Sequence, residues 1–153
     1  MSRAERAKEY FLQGFACSQA VALAFSDVMG VDEQSILKMM LPFGGGLGRL
    51  RLTCGAVSGM AAVIGMVFAK SETTPQNKKE VYAIVQRLCG KFQEETGSLI
   101  CAELLAGMKV PVEVGGEAET RSKEYYQKRS CGNMVALATQ ILEDYLAEEG
   151  VFN

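Results

Sequence analysis

Five cysteines stand in a chain of 153 residues that contains no histidine and no tryptophan. Without imidazole there is no Ser-His-Asp or Cys-His catalysis, no histidine metal ligand and no histidine-ligated haem, so no haem is expected. The remaining chemistry in quantity is sulfur, as five thiols and eight thioethers. A thiolate attacks disulfides and oxidants, and it also ligates zinc, copper(I) and iron–sulfur clusters. Cys17, Cys54, Cys101 and Cys131 are the candidate catalytic residues. The same four are the candidate metal ligands if the sulfur holds an ion or a cluster.

Their placement along the chain singles these four out. Cys17 precedes Ser18-Gln19, Cys54 follows Thr53, Cys131 follows Ser130, and Cys101 falls in the first turn of a short helix, so each is expected at a helix start. Free N–H groups and the positive end of the helix dipole at such a position stabilise a thiolate and lower its pKa from about 8.5. The competing reading is that an unpaired cysteine is simply a small buried hydrophobe. Cys89 is assigned that role, because it shares a helical face with Tyr82, Val85 and Phe92.

The elements that must carry these thiols read as helices. Ser2 and Glu5 form a capping box that starts a first helix ending at Gly14. A second runs from about Ser18 to Gly30, and Asp32 caps a third that breaks at Pro42. Thr53 is the expected cap of a central, Gly/Ala-rich helix over 54–69, where Gly55 and Gly59 permit close helix contact. A fifth covers Asn77 to Glu95, with Val81, Ile84, Val85, Leu88 and Phe92 at helical spacing. A short sixth runs from Leu99 to Gly107, and Ser130 caps the last, which ends at Gly150. Met108 to Gly116 is a crossing loop, followed by helical turn from Ala118 to Gln127. No strand pattern and no repeat is found. The fold class is all-α, a single domain over 1–153 with a bundle of about six to seven helices. If short loops join antiparallel neighbours, helices two, four and six start at one end and bring Cys17, Cys54 and Cys101 together, with Cys131 returned to them by the long 108–129 stretch.

Between the third and fourth helices lies Phe43-Gly44-Gly45-Gly46-Leu47-Gly48-Arg49. No Lys-Ser/Thr follows the last glycine, so it is not a P-loop, and it fits no dinucleotide fingerprint. Gly44, Gly45, Gly46, Gly48, Arg49 and Gly55 are the candidate residues for letting backbone approach a bound anion, cofactor or substrate. Arg49 and Arg51 precede Cys54, and Lys128 and Arg129 precede Cys131. These cations either favour the thiolates or are ordinary solvated charge.

Sixteen basic against eighteen acidic side chains give no electrostatic reason to bind nucleic acid. The most apolar stretch, Cys54 to Ala69, is 16 residues long, short of the roughly 20 that a bilayer requires. No membrane span is expected. The charged first helix has no apolar signal region behind it, so the expected location is cytoplasmic, where cysteines serve as core residues, ligands or redox thiols. A homodimer through the Gly/Ala-rich helix and burial within one chain explain those glycines equally well.

Cys17, the triple-glycine segment, Cys54-Gly55-Ala56-Val57-Ser58-Gly59, Cys101 and Cys131 together resemble the C_GCAxxG_C_C family, to which redox activity is ascribed. The resemblance covers most of the chain and leaves Cys89 outside the pattern. It is also similar to the region of split-Soret cytochromes that holds an iron–sulfur centre through cysteines, although Cys-x-x-Cys-His is absent here. Three functions follow. The first is a redox-active protein using clustered thiols for disulfide exchange or electron transfer, with Cys54 attacking and Cys17, Cys101 or Cys131 resolving. The second is a cysteine-ligated iron–sulfur or metal-binding protein, and the third is a helical interaction module with no chemistry. The redox partner or small molecule is not identified by any motif.

Overall fold

The Ser2 hydroxyl accepts from the Glu5 N–H at 3.1 Å while the Ser2 N–H donates to Glu5 at 2.7 Å, so the first helix opens on the expected capping box. In the computed structural model, which describes residues 1–152, these residues form nine helices and no strand. They are α1 (Arg3–Leu12), α2 (Cys17–Leu23), α3 (Ser26–Met29), α4 (Glu33–Met40), α5 (Gly55–Phe68), α6 (Pro75–Thr96), α7 (Cys101–Gly107), α8 (Lys123–Lys128) and α9 (Cys131–Glu148). A 3₁₀ turn at Leu41–Phe43 and a glycine turn fill the interval between α4 and α5.

The expected all-helical bundle forms, with more helices than anticipated. One of the two beyond seven is α8, and the other arises where the helix expected from Ser18 to Gly30 divides at Phe25, whose φ of −117° and ψ of 20° leave the helical region. Phe25 is fully buried there, so a core position for its ring accompanies the interruption. Elsewhere local signals set the boundaries: Asp32 accepts from the Ser35 N–H, Thr74 accepts from the Asn77 N–H with Pro75 at the first turn, and Gly97 closes α6 at φ +90°. Met108 to Gly116 is irregular as expected, and the turn anticipated over Ala118 to Gln127 shortens to α8.

One connected core ties the helices together, with Phe11, Phe92, Met60, Ile64, Leu88 and Leu142 each nearly or wholly removed from solvent. α1 packs along α9, and α2 packs against α5. The α2–α5 approach is very close because glycine removes side chains from it. A Cβ on Gly59 would stand 2.7 Å from the Ser18 carbonyl oxygen. The face of α5 that could have met a second copy through Gly55 and Gly59 is therefore occupied by α2 of the same chain. Among the described residues no helix is long and apolar enough to cross a membrane.

Candidate functional site

Cys17 opens α2 because the Ala16 backbone is extended and the Gln19 side chain accepts the Ala16 N–H at 2.8 Å. Two other cysteines are set by a contact the sequence did not announce. Residues 51–54 and 99–102 pair like two short strand segments: Cys54 N–H donates to Leu99 O at 2.8 Å, Cys101 N–H to Leu52 O at 2.6 Å and Ala102 N–H to Arg51 O at 3.1 Å. Thr53, expected to cap the central helix, instead bridges to Ile100, and Cys54 itself takes the N-cap position of α5. Cys131 begins α9, with Ser130 at its N-cap but making no side-chain capping bond.

The glycine segment is a left-handed turn. Gly45, Gly46, Leu47, Gly48 and Arg49 all have φ between +56° and +73°, a region that costs an ordinary L-residue roughly 1–2 kcal/mol. Glycine at three of these five positions makes the turn affordable. The geometry leaves no room for larger residues: a Cβ on Gly46 would lie 2.6 Å from the Cys101 Cβ and 2.7 Å from the Leu52 nitrogen. A Cβ on Gly55 would strike the Cys17 sulfur. Gly45 donates its N–H toward the Cys17 sulfur, so adjacent glycines of one turn touch Cys17 and Cys101.

Cys17, Cys54, Cys101 and Cys131 all line a single cavity of about 320 Å³. Gly44, Gly45, Gly48, Arg49 and Gly55 line it too, whereas Gly46 lies behind the wall, packed by Cys101 and the 51–52 backbone. Cys89 does not line it; half-buried on α6, it packs against the core as its helical face implied. All five cysteines carry free thiols. Cys17 lies close enough to Cys54 and Cys131 that ionising it would raise both.

Burial overrides the helix dipole at these sulfurs. It pushes Cys17 upward against the Gly45 and Ser18 N–H groups, and raises Cys54 strongly against those of Ala56 and Val57. Cys131 is pushed up to about 12 by burial and by Cys17 and Cys101, with Arg129 and Arg121 opposing. The expectation of thiolates stabilised at helix starts is thus reversed for these three. Cys101 differs in its partner: Arg51 Nη1 lies 3.9 Å from its sulfur. Arg51, close to Cys54 in sequence, therefore serves the thiol 50 residues away.

Several site residues gave no sequence signal. The irregular segment after α7 crosses the cavity and is pinned by two arginines: Arg51 donates to the Glu113 carbonyl at 2.9 Å, and Arg49 to the Gly115 carbonyl. Glu119, carried by the same segment, pairs with Arg49, with Arg51 at 3.6 Å and with Arg129 at 3.2 Å. Burial alone would raise its carboxyl, but the Arg49 hydrogen bond and the charges of Arg129, Arg49 and Arg51 hold it below the usual range. Arg121 donates to the Phe11 and Phe15 carbonyls and lies over the Phe11, Tyr125 and Tyr126 rings. Only the approximate helical turn at 118–127 hinted at order here.

The donor set was also tested against a metal. A single ion requires three or four ligands converging within about 2.3 Å of one point. Among the described residues no three cysteine, aspartate or glutamate side chains converge in that way. The arrangement as it stands is a pocket walled by separate thiols and guanidinium groups.

No curated protein and no solved structure matches the chain significantly. A family model described as "Putative redox-active protein (C_GCAxxG_C_C)" matches residues 15–145, a span that holds all four cavity cysteines and the glycine turn. The chain belongs to the C_GCAxxG_C_C family.

Proposed function

We propose that the protein carries out thiol–disulfide exchange in the four-cysteine cavity, with Cys101 as the attacking sulfur and Cys17 as its resolving partner. The observation that carries this reading is the contact between Arg51 and the Cys101 sulfur at 3.9 Å, just beyond the glycine turn whose Gly45 N–H reaches Cys17. A guanidinium so placed holds the negative charge that sulfur bears as it attacks. Cys54, whose thiol burial holds protonated, is a poorer nucleophile than its place in the motif suggested.

The exchange balances as follows. The deprotonated Cys101 sulfur attacks a disulfide R–S–S–R; an S–S bond forms to one half while the original S–S bond breaks. The other half leaves as a thiolate and takes up the proton that Cys101 gave. Cys17 then loses its proton and attacks the Cys101 sulfur, which forms the Cys17–Cys101 disulfide and releases the second half as a thiol. The substrate gains two electrons and two protons, and the protein loses both. A dithiol donor restores the reduced protein by the reverse sequence. Cys54 and Cys131, on the same wall, supply further thiols to which the disulfide can move. Free thiols of this kind suit a reducing compartment such as the cytoplasm.

The test is a thiol count on protein purified without oxygen, before and after mild oxidation, with iron and sulfide analysis of the same sample. Reversible loss of two thiols, mapped to Cys17 and Cys101 by peptide mass spectrometry, is the expected result. Stoichiometric iron with labile sulfide, or thiols that resist oxidation, would overturn it.

A further inference from the structure

The geometry points to a carboxylate-bearing small molecule as the ligand of this cavity, and, building on the exchange reading, to an anionic low-molecular-weight disulfide as its substrate. Arg49, Arg51, Arg121 and Arg129 line the cavity, whereas Glu119 is the one carboxylate on its wall. Arg51 is 6% exposed and the Arg129 side chain 8%, so this positive charge is largely withdrawn from water. Charge of one sign gathered in such a place draws in counter-charge.

Glu119 shows which chemistry the guanidinium groups accept. Its carboxylate sits among Arg49, Arg51 and Arg129, and Glu113 reaches Arg49 from outside the wall at 3.4 Å, so two carboxylates meet these three guanidinium groups. Arg121 spends its donors on neutral carbonyls and keeps its charge. The buried Nε of Arg49, a residue of the cavity wall, has no hydrogen-bond partner. Arginine forks match planar carboxylates two bonds at a time. At about 320 Å³ the cavity lies at the small end of ligand pockets, which start at roughly 300 Å³. That size suits a short dicarboxylate whose disulfide reaches Cys101 while a carboxylate rests on the arginines.

Three symmetric disulfides that differ in charge test this on the reduced full chain: 3,3′-dithiodipropionate (a dianion), bis(2-hydroxyethyl) disulfide (neutral) and cystamine (a dication). Thiol loss over time is expected to be about tenfold faster with the dianion than with the neutral reagent, and slowest with cystamine. Suberate, with a CH₂–CH₂ link in place of the S–S bond, tests binding without reaction by calorimetry. Its affinity should rise about tenfold in Glu119→Gln, which removes the competing carboxylate, and fall about tenfold in Arg129→Gln. Circular dichroism establishes that both variants fold. Equal rates for all three disulfides, or suberate binding that is absent or weakened by Glu119→Gln, overturns the anion site and leaves thiol exchange standing. No thiol loss with any reagent removes the exchange reading and the disulfide substrate with it, while suberate binding that shifts as stated upholds the carboxylate site.

Discussion

Arg51 reaches across the cavity to the Cys101 sulfur, 3.9 Å from its Nη1, although only two residues separate it from Cys54 in the chain. The pairing across the 51–54 and 99–102 segments produces this crossing, because it draws α7 against the start of α5. Replacement of the guanidinium tests its role. In Arg51→Met, reaction of Cys101 with a neutral disulfide should slow about tenfold through loss of the nearby positive charge, and Arg51→Lys should recover part of the rate. The rate is followed across pH by mass spectrometry, since a purely structural role would give no charge-dependent recovery.

The thiols should label in a definite order. Burial first, then Cys17 and Cys101, push Cys131 up to about 12, so at pH 8 it stays protonated while a free cysteine, at about 8.5, is partly ionised. Burial likewise keeps Cys54 protonated. Pulsed alkylation with iodoacetamide at pH 8 should modify Cys101 first and Cys54 and Cys131 last. Early modification of Cys54 would return the attacking role to the motif cysteine.

Alkaline pH should destabilise the fold. Cys17, Cys54, Cys89 and Cys131 all lie above their ordinary values when folded, whereas in the unfolded chain thiols ionise near about 8.5. Above that pH the unfolded state sheds protons that the folded state retains, so stability is complete below pH 8.5 and is lost as pH rises toward 12. Urea unfolding between pH 7 and 11 measures the decline, and Cys131→Ser should flatten it.

Two glycines of α5 should respond oppositely to alanine. A Cβ on Gly59 meets the Ser18 backbone at 2.7 Å, whereas one on Gly65 meets nothing within 4 Å. Gly59→Ala forces α2 and α5 apart and should cost about 1–3 kcal/mol. Gly65→Ala should add about 0.5–1 kcal/mol by favouring the helix. Thermal unfolding of both proteins, compared with the unaltered chain, decides the sign at each position.

Acid should release the segment over the cavity. Its Glu119 carboxyl is held below the usual range by the arginines around it, so its contribution to stability is present above the unfolded value of about 4.3 and is lost as pH falls through the lower folded value. Hydrogen exchange of residues 112–120 should rise on that descent, and in Glu119→Gln, which has no group to titrate there, it should no longer change with pH over that range.

The sequence by itself determined the helices and which sulfurs begin them. Capping at Ser2 and Asp32, helical spacing in α6 and the glycine terminations are local effects, legible within a few residues, whereas the Thr74 cap that starts α6 at Pro75 lay in a stretch read as loop. The glycine segment, too, announced a backbone passing close to something. Tertiary structure decided what that something was: Gly46 is filled by Cys101, Gly55 by Cys17 and Gly59 by α2. It also decided the protonation of the sulfurs, because burial is a property of the packed cavity and outweighs the dipole of the helix each thiol begins. Glu119 and Arg121 were invisible beforehand for the same reason. An irregular segment has no period to read, and the charges it brings to Arg49, Arg51 and Arg129 acquire their meaning only where the chain folds back over the thiols.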